Sequence, residues 1–495
     1  MDFIDPKKQR RHRLRLVIGY SLSAVALLLL TVVLLFIAYG YGIGKNGQII
    51  QNGLVFVSSA PNPAQIYLNG SYSGSNTNAR LELPAGQYTV QIKLNGYRTW
   101  VRSVGVEGGS VERFNYPFLF PNILSPTDAE DYSAVPGLVT QSPSKQWLLI
   151  QKPGSNTDFD EYNLANPKQL TSTSTTVSIP ATILTSPAGT QSLQLIAWAS
   201  DNQYALLLHT YAGGSEYILF DRQTPSDSLN LTKTLNLSPT MTLGLDNLAY
   251  NQYYIYDSNS QTISTVSLTT PITPIISHVL DYAVYGTGTI EYVTPDDASA
   301  GNVYVDVYQG TKTYHISQLP ISSQYLLDAS SYGGNLYLAA GEVNDTKVYV
   351  YENPIGALQN QPQMPVVPIY ILKVNQPNYV SFSENSQFVM AENAQGFAVY
   401  DAQNQKGYVY NINAPVVPGQ HATWMDGDRL ILTTNNYVDV FDYDGANEQT
   451  LQPAVNGTIP YFDPTYKWMY VIAPSAVSST TSPYSLTSTS LTAAP

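Results

Sequence analysis

Hydrophobic and polar positions change rhythm along the chain, and each rhythm predicts a different kind of element. Residues 16–39, LVIGYSLSAVALLLLTVVLLFIAY, run without a charge and with only Ser21, Ser23 and Thr31 as hydroxyl breaks. An α-helix rises about 1.5 Å per residue, so this run extends about 36 Å, enough for a bilayer core of about 30 Å. The pattern predicts one transmembrane helix. From Leu54 the period falls to two: Tyr88, Val90, Ile92 and Leu94 alternate with polar residues, and Gly, Pro and Asn mark the breaks. Residues 54–120 therefore read as short strands closing a small β-sandwich. Asn69-Gly70 and Asn95-Gly96 supply residues that accept positive φ, and Pro84-Ala85-Gly86 makes another sharp turn into a strand.

Beyond this unit a longer repeat sets in, over residues 121–475. An aromatic precedes a Ser/Asp turn and an apolar strand in WASDNQYALLL (Trp198), FSENSQFVMA (Phe382), WMDGDRLILT (Trp424) and FDPTYKWMYVI (Phe462), with QSPSKQWLLIQ (Gln141) a weaker copy. Other strands end on an acid, as at Asp221, Asp257, Glu352, Asp401 and Asp442. Innermost-strand candidates begin near residues 138, 193, 241, 279, 325, 378, 421 and 458. Spacings of about 46 residues with four short strands each predict β-propeller blades, whose faces are buried only by their neighbours. Eight blades is the count, seven the alternative, and a long sandwich array the competing fold. The turns resemble those of WD40-like and TolB-like propellers. Residues 476–495 are Ser/Thr-rich, and 484–491 are suited to a strand that closes the ring.

Charge sharpens the picture at the N-terminus. Lys7, Lys8, Arg10, Arg11, Arg13 and Arg15 against Asp2 and Asp5 make residues 1–15 net +4, so the total of −13 leaves −17 for the rest. By the positive-inside rule residues 1–15 form a basic cytoplasmic tail, residues 16–39 contact the lipid bilayer, and the acidic body lies outside. That body repels phosphates, and no Lys/Arg stripe interleaved with aromatics follows residue 15, so nucleic-acid binding is not expected. The apolar run exceeds the length of a cleaved signal, which favours an uncleaved anchor. Residues 40–53, including GYGIGKN, read as a juxtamembrane linker: Tyr39 and Asn46 break the phosphate-loop pattern. With no cysteine in 495 residues, the outer units need well-packed cores instead of disulfides.

VSSAPNPAQIYLNGSYSG followed by LELPAGQYTVQIKLNGYRTW resembles the PEGA domain, a small all-β surface module. The matching positions are Pro61, Ala64, Asn69, Gly70, Gly74, Gly86, Tyr88, Gly96 and Tyr97. Pro63 stands where the family motif has Gly, and Asn78 follows Thr77 where many members have Pro. The resemblance implies an envelope-associated binding or spacer module.

Candidate chemistry is sparse. His12, His209, His278, His315 and His421 are scattered, with no pair at zinc-ligand spacing, and GSYSG places Tyr72 where a nucleophile elbow needs Ser. Asp442, Asp444, Asn447 and Glu448 cluster without the spacing of a calcium loop and read as a hairpin turn; the acids within 157–161 and 294–302 read likewise. Tyr250, Tyr253, Tyr254 and Tyr256 read first as packing between blades, and second as flat faces for sugars or peptides. Asn69, Asn230, Asn236, Asn344 and Asn456 begin Asn-x-Ser/Thr sites. The expectation is a non-enzymatic, membrane-anchored, extracytoplasmic binding or scaffold protein without a cofactor, whose propeller holds an envelope or protein ligand. An envelope hydrolase or lyase working at the propeller channel, and a surface-layer subunit, remain as rivals.

Overall fold

The computed structural model describes residues 6–38, 40–43, 48–165, 174–186, 189–343, 345–362, 364–413, 415–476 and 481–493. Tyr39, parts of the expected linker and of the Ser/Thr-rich end, and Asn344 lie outside them. The chain divides into two units, Met1–Ile123 with Ala493–Pro495, and Leu124–Thr492.

Helix α1, Pro6–Ala38, starts on a proline, whose missing N–H is harmless in a first turn. The helix thus includes Arg10, Arg11, Arg13 and Arg15, and the basic segment expected as a tail is helical from Pro6. Within Gln9–Ala38 no residue of the most apolar stretch is buried, and Leu22, Leu27 and Ile37 are more than half exposed. A helix apolar on every side finds a stable environment in lipid.

Eight strands form the first β unit: β1 (Tyr41–Ile43), β2 (Ile49–Val57), β3 (Gln65–Leu68), β4 (Ser71–Asn76), β5 (Ala79–Pro84), β6 (Gly86–Lys93), β7 (Trp100–Val106) and β8 (Val111–Phe114). One sheet runs β1-β2-β5 with β8 parallel to β2; the other runs β4-β3-β6-β7. Residues 40–53 are therefore not simply a linker, because Tyr41–Ile43 pairs back on Ile49, Ile50 and Gln51 and satisfies those backbone groups. Val55, Val57, Ile66, Val90 and Ile92 are fully buried between the sheets, and Trp100 packs on Phe114 and Tyr116. The PNPA stretch is pinned by two buried hydroxyls: Thr77 Oγ1 accepts Ala64 N–H at 2.9 Å and lies 2.8 Å from Ser59 Oγ. Only Gly96 of the second Asn-Gly pair is left-handed (φ 82°), whereas Asn69 (49°) and Gly70 (81°) both are.

Leu124–Thr492 contains, among the described residues, eight four-stranded antiparallel sheets. Their innermost strands are Val139–Gln141, Ser192–Trp198, Met241–Leu245, Asp281–Tyr285, Tyr325–Tyr332, Tyr379–Phe382, Thr423–Trp424 and Tyr461–Phe462, in blades 1 to 8. Apolar clusters join blades 1 to 2, 2 to 3, 3 to 4, 4 to 5 and 5 to 6. Phe397 meets Phe441 across blades 6 and 7, and Thr489 Oγ1 donates to Gln452 across 7 and 8. The eighth blade packs on the first through Tyr470, Ile472 and Leu486 against Leu148, Ile150 and Tyr162. The ring closes. Its fastening strand is β9 (Thr127–Tyr132), which enters before blade 1 and pairs antiparallel with Tyr484–Ser490 as the outer strand of blade 8.

Locally, the repeated signals have identifiable tasks. Trp198 donates its indole N–H to Thr140 on the preceding inner strand at 2.8 Å, and Trp424 does the same to Ser381 at 3.1 Å. Asp221 and Asp401 are buried, and each accepts the backbone N–H groups two and three residues ahead, which fixes the turn after the third strand. Tyr253 and Tyr254 are buried in inter-blade clusters, and Tyr250 stacks on Tyr204 at 4.4 Å.

Candidate functional site

Two features of the propeller bring chemistry-bearing residues together. At one channel mouth lie the turns that link each innermost strand to the next, including the Ser/Asp turns of the repeat. Lys145 (φ 60°), Asn202 (62°), Ser386 (60°) and Tyr466 (54°) hold the left-handed position that Gly takes at no steric cost. Side chains in that conformation cost of order 1–3 kcal/mol each. What they gain is reach. Lys145 Nζ of blade 1 pairs with Glu384 of blade 6 and lies 5.0 Å from the Tyr466 ring of blade 8, whose hydroxyl donates to Glu384 Oε2 at 3.3 Å. Ser144 N–H donates to Asn202 Oδ1 at 2.8 Å, adding blade 2. In blade 7 Arg429 is buried and donates its Nε–H to Asp426 at 3.0 Å. Beside it, burial pushes the Asp428 carboxyl up to about 7, with Asp426, Asp442 and Asp401 adding to the rise and Arg429 opposing it. Both cations are thus engaged, and the mouth is latched by its own ion pairs.

The second feature is a groove of about 700 Å³ on the outer rim. One side is Lys312–Pro320, the outermost strand of blade 4; the other is the connection between Glu352 and Tyr370 in blade 5. That connection carries the helix Pro354–Asn360, started by Asn353, whose side chain accepts the Gly356 N–H at 3.2 Å. Strand register sets Asp306 opposite His315, with a bulge just before Asp306. His315 Nδ1 lies 2.9 Å from Asp306 Oδ1, and the imidazole leans on Tyr304 with centroids 4.8 Å apart. Asp306 is 1% exposed. Its carboxyl is raised, because burial outweighs the bonds from His315 and Tyr292. Held through Nδ1, His315 turns Nε2 away from its carboxylate partner, a tautomer-setting arrangement.

The other propeller histidines have carboxylate partners as well: His209 with Glu216 at 2.9 Å, His278 with Asp296 at 2.9 Å, and His421 with Glu392 at 3.0 Å. Sequence reading left all four apart because each partner comes from a neighbouring strand or loop. For His209 and His315 the acid stands just across a tight turn, a signal that was there to find, whereas Asp296 and Glu392 lie 18 and 29 residues from His278 and His421. Of the acids expected in turns, Asp442 accepts from Asn447, Asp444 from Ala446, and Glu448 from Asn413, whereas Asp158, Asp160 and Glu161 stand in the strand Asp158–Asn163, with Asp160 buried, because the ladder on both sides takes up their backbone groups. Among the described residues no group of three or more His, Cys, Asp or Glu is set to hold a metal. Asn230 is buried, with its amide donating to Glu216 at 2.7 Å, so its sequon is not a surface site.

The PEGA-like positions lie together in the first β unit. Ala64 is buried, Asn69, Gly70, Gly74 and Gly96 have positive φ, and Tyr88 donates to Pro84 O at 2.9 Å. Gly86 opens β6, where an added Cβ would touch the Tyr88 ring at 3.7 Å. Pro61 O accepts from Ser59 Oγ at 2.7 Å, and Tyr97 packs on the core. These nine residues shape turns and a core, not a cleft. Lys7 and Lys8 open α1 together with Arg10, Arg11, Arg13 and Arg15.

The class defined by this architecture is a propeller protein with a small β-sandwich and a helix long and apolar enough to cross a membrane. Residues 52–119 match the PEGA domain model. A PEGA-type domain over residues 52–119 thus comes before a β-propeller over Leu124–Thr492 in the chain. No curated protein matches it. Among solved structures it is similar to the Dos1 propeller (12% identity, TM-score 0.45, 74% of this chain and 95% of that one). It is also similar to the uncharacterized protein lmo1340 from Listeria monocytogenes EGD-e (11%, 0.39, 68% and 93%). An oligogalacturonate lyase in complex with manganese gives 9%, 0.39, 74% and 96%. Likenesses this weak carry nothing about function.

Proposed function

We propose that this is a membrane-anchored, extracytoplasmic recognition protein: α1 fixes it in the bilayer, the basic residues before the span stay cytoplasmic, and the propeller holds a ligand without transforming it. The carrying observation is the contrast in burial. The two β units bury their apolar side chains in closed cores, while the most apolar stretch of α1 has no buried residue. That division supports an anchor bearing a folded outer body, with the −17 of the body kept away from the basic end by the positive-inside rule. The PEGA match supports an envelope setting for residues 52–119.

One observation favours the rival hydrolytic reading. The Asp306–His315 pair has the form of an oriented general base facing a groove. Among the described residues no Ser or Thr hydroxyl is hydrogen-bonded to His315, which is why binding is preferred. The test uses the full chain in lipid nanodiscs, incubated with cell-envelope extract. Retention of envelope material without new products, together with protease cleavage of the outer body from intact cells, is the expected result. Release of cleaved products, or a body protected from external protease, overturns it.

A further inference from the structure

We infer that the rim groove between blades 4 and 5 is a binding site for a neutral glycan, an uncharged oligosaccharide laid along Lys312–Pro320; this rests on the recognition reading above. Size comes first. At about 700 Å³ the groove falls in the range of small-ligand sites, about 300–1,000 Å³. Its wall is also purpose-built. The connection between Glu352 and Tyr370 spans residues 353–369, far longer than the two residues between the third and fourth strands of blade 4 or the four in blade 6. Pro362 and Pro365 restrict its backbone, so less ordering is left to be done on binding.

Charge selects the ligand class. Among the described residues lining the groove, His315 is the sole ionisable side chain apart from tyrosine, and its carboxylate partner Asp306 lies behind it, buried. A compensated pair offers neither an anion nor a cation site. In a body of net −17 the groove is a neutral surface, complementary to an uncharged partner.

Hydrogen-bonding capacity narrows it further. Gln318 Oε1 accepts from Ser299, at 2.6 Å from the hydroxyl, which leaves the Gln318 amide N–H groups to donate. Gln359 Nε2 donates to the Tyr314 hydroxyl at 3.2 Å, leaving Gln359 Oε1 to accept and the Tyr314 proton to donate. His315 Nε2 adds one more group. Uncharged donors and acceptors together match sugar hydroxyls, each of which donates and accepts. Between them the Tyr304 and His315 rings and the exposed Met364 offer apolar faces for the C–H sides of pyranose rings.

The test is calorimetric titration of the full chain in nanodiscs with cellohexaose, chitohexaose and mannohexaose, with hexagalacturonate and a Thr/Val octapeptide as contrasting probes. At least one neutral hexasaccharide is expected to bind below about 1 mM, with Tyr304→Ala and the exposed-residue variant Gln318→Ala each weakening it about tenfold or more. Lys145→Met, at the channel mouth, is expected to leave the affinity unchanged. Three results overturn the assignment: no binding of any neutral hexasaccharide at about 10 mM, binding that the groove variants do not move, or preference for the acidic sugar or the peptide. If the sugars fail while envelope extract is still retained, the glycan site falls and the recognition reading stands; if both fail, both fall.

Discussion

Glu216→Ala tests how the junction of blades 1 and 2 is held. The Glu216 carboxylate is 2% exposed and accepts four bonds: Thr185 N–H at 2.6 Å, Asn230 Nδ2 at 2.7 Å, and Thr185 Oγ1 and His209 Nδ1 at 2.9 Å. Deleting it strands a wholly buried imidazole, and removing one member of a buried pair costs about 3–5 kcal/mol. With an unfolding entropy of about 2.1 cal/mol/K per residue over Leu124–Thr492, a loss of about 4 kcal/mol lowers Tm by about 5 °C. Glu216→Gln keeps the shape and loses the charge, so its cost falls between. The pH dependence has a definite sign. Burial pushes the carboxyl up, but the bonds from Thr185 N–H, His209, Asn230 and the Thr185 hydroxyl outweigh it, and the folded pKa lies below the ordinary 4.5. A depressed carboxyl stabilises the fold above its unfolded pKa and loses that contribution as pH falls through the folded value. Chemical denaturation from pH 7 to pH 3 should therefore show the advantage of wild type over Glu216→Gln full at neutrality and shrinking below about pH 4.5. Equal stabilities at pH 7, or a gap that persists unchanged to pH 3, would refute the argument.

Other sites give independent checks. Asp428→Asn should gain on wild type as pH rises from about 4 to 8, because a raised carboxyl loses stability as it ionises through its folded value of about 7; a flat difference in urea midpoints contradicts this. Gly427→Ala places a Cβ 2.3 Å from Asn385 Nδ2 and 3.0 Å from its Cβ, so the Asn385 side chain must shift and loosen the bonds it accepts from the Ser383 hydroxyl and Gln387 N–H, at a cost of about 1–3 kcal/mol read from thermal melts. Thr77→Val removes the acceptor of the Ala64 N–H and should cost the first β unit about 1–3 kcal/mol, seen as faster amide exchange in β3 and β5 with the propeller unchanged. Lys145→Met breaks a partly exposed pair at the channel mouth and should move the melting midpoint by no more than the effect of about 1 kcal/mol.

Much of the architecture is legible in local chemistry. The apolar run, the period-two strands and the turn residues act over a few positions, so the innermost strands expected near 138, 193, 241, 279, 325, 378, 421 and 458 stand at 139, 192, 241, 281, 325, 379, 423 and 461. The Ser/Asp turns and terminal acids were visible for the same reason: Asp221 and Asp401 bond to N–H groups only two and three residues away. Contacts made across the chain left no such trace. β9 meets Tyr484–Ser490 some 350 residues later, and nothing in TDAEDY distinguishes a fastening strand from a loop until its partner is present. Lys145 finds Glu384 only because a closed ring returns blade 6 to face blade 1. His315 acquires its carboxylate through strand register and its groove through an insertion in the next blade. Periodicity records which side of a strand is buried; which distant strand, charge or ring meets it is settled by closure of the ring, a property of the whole packed unit.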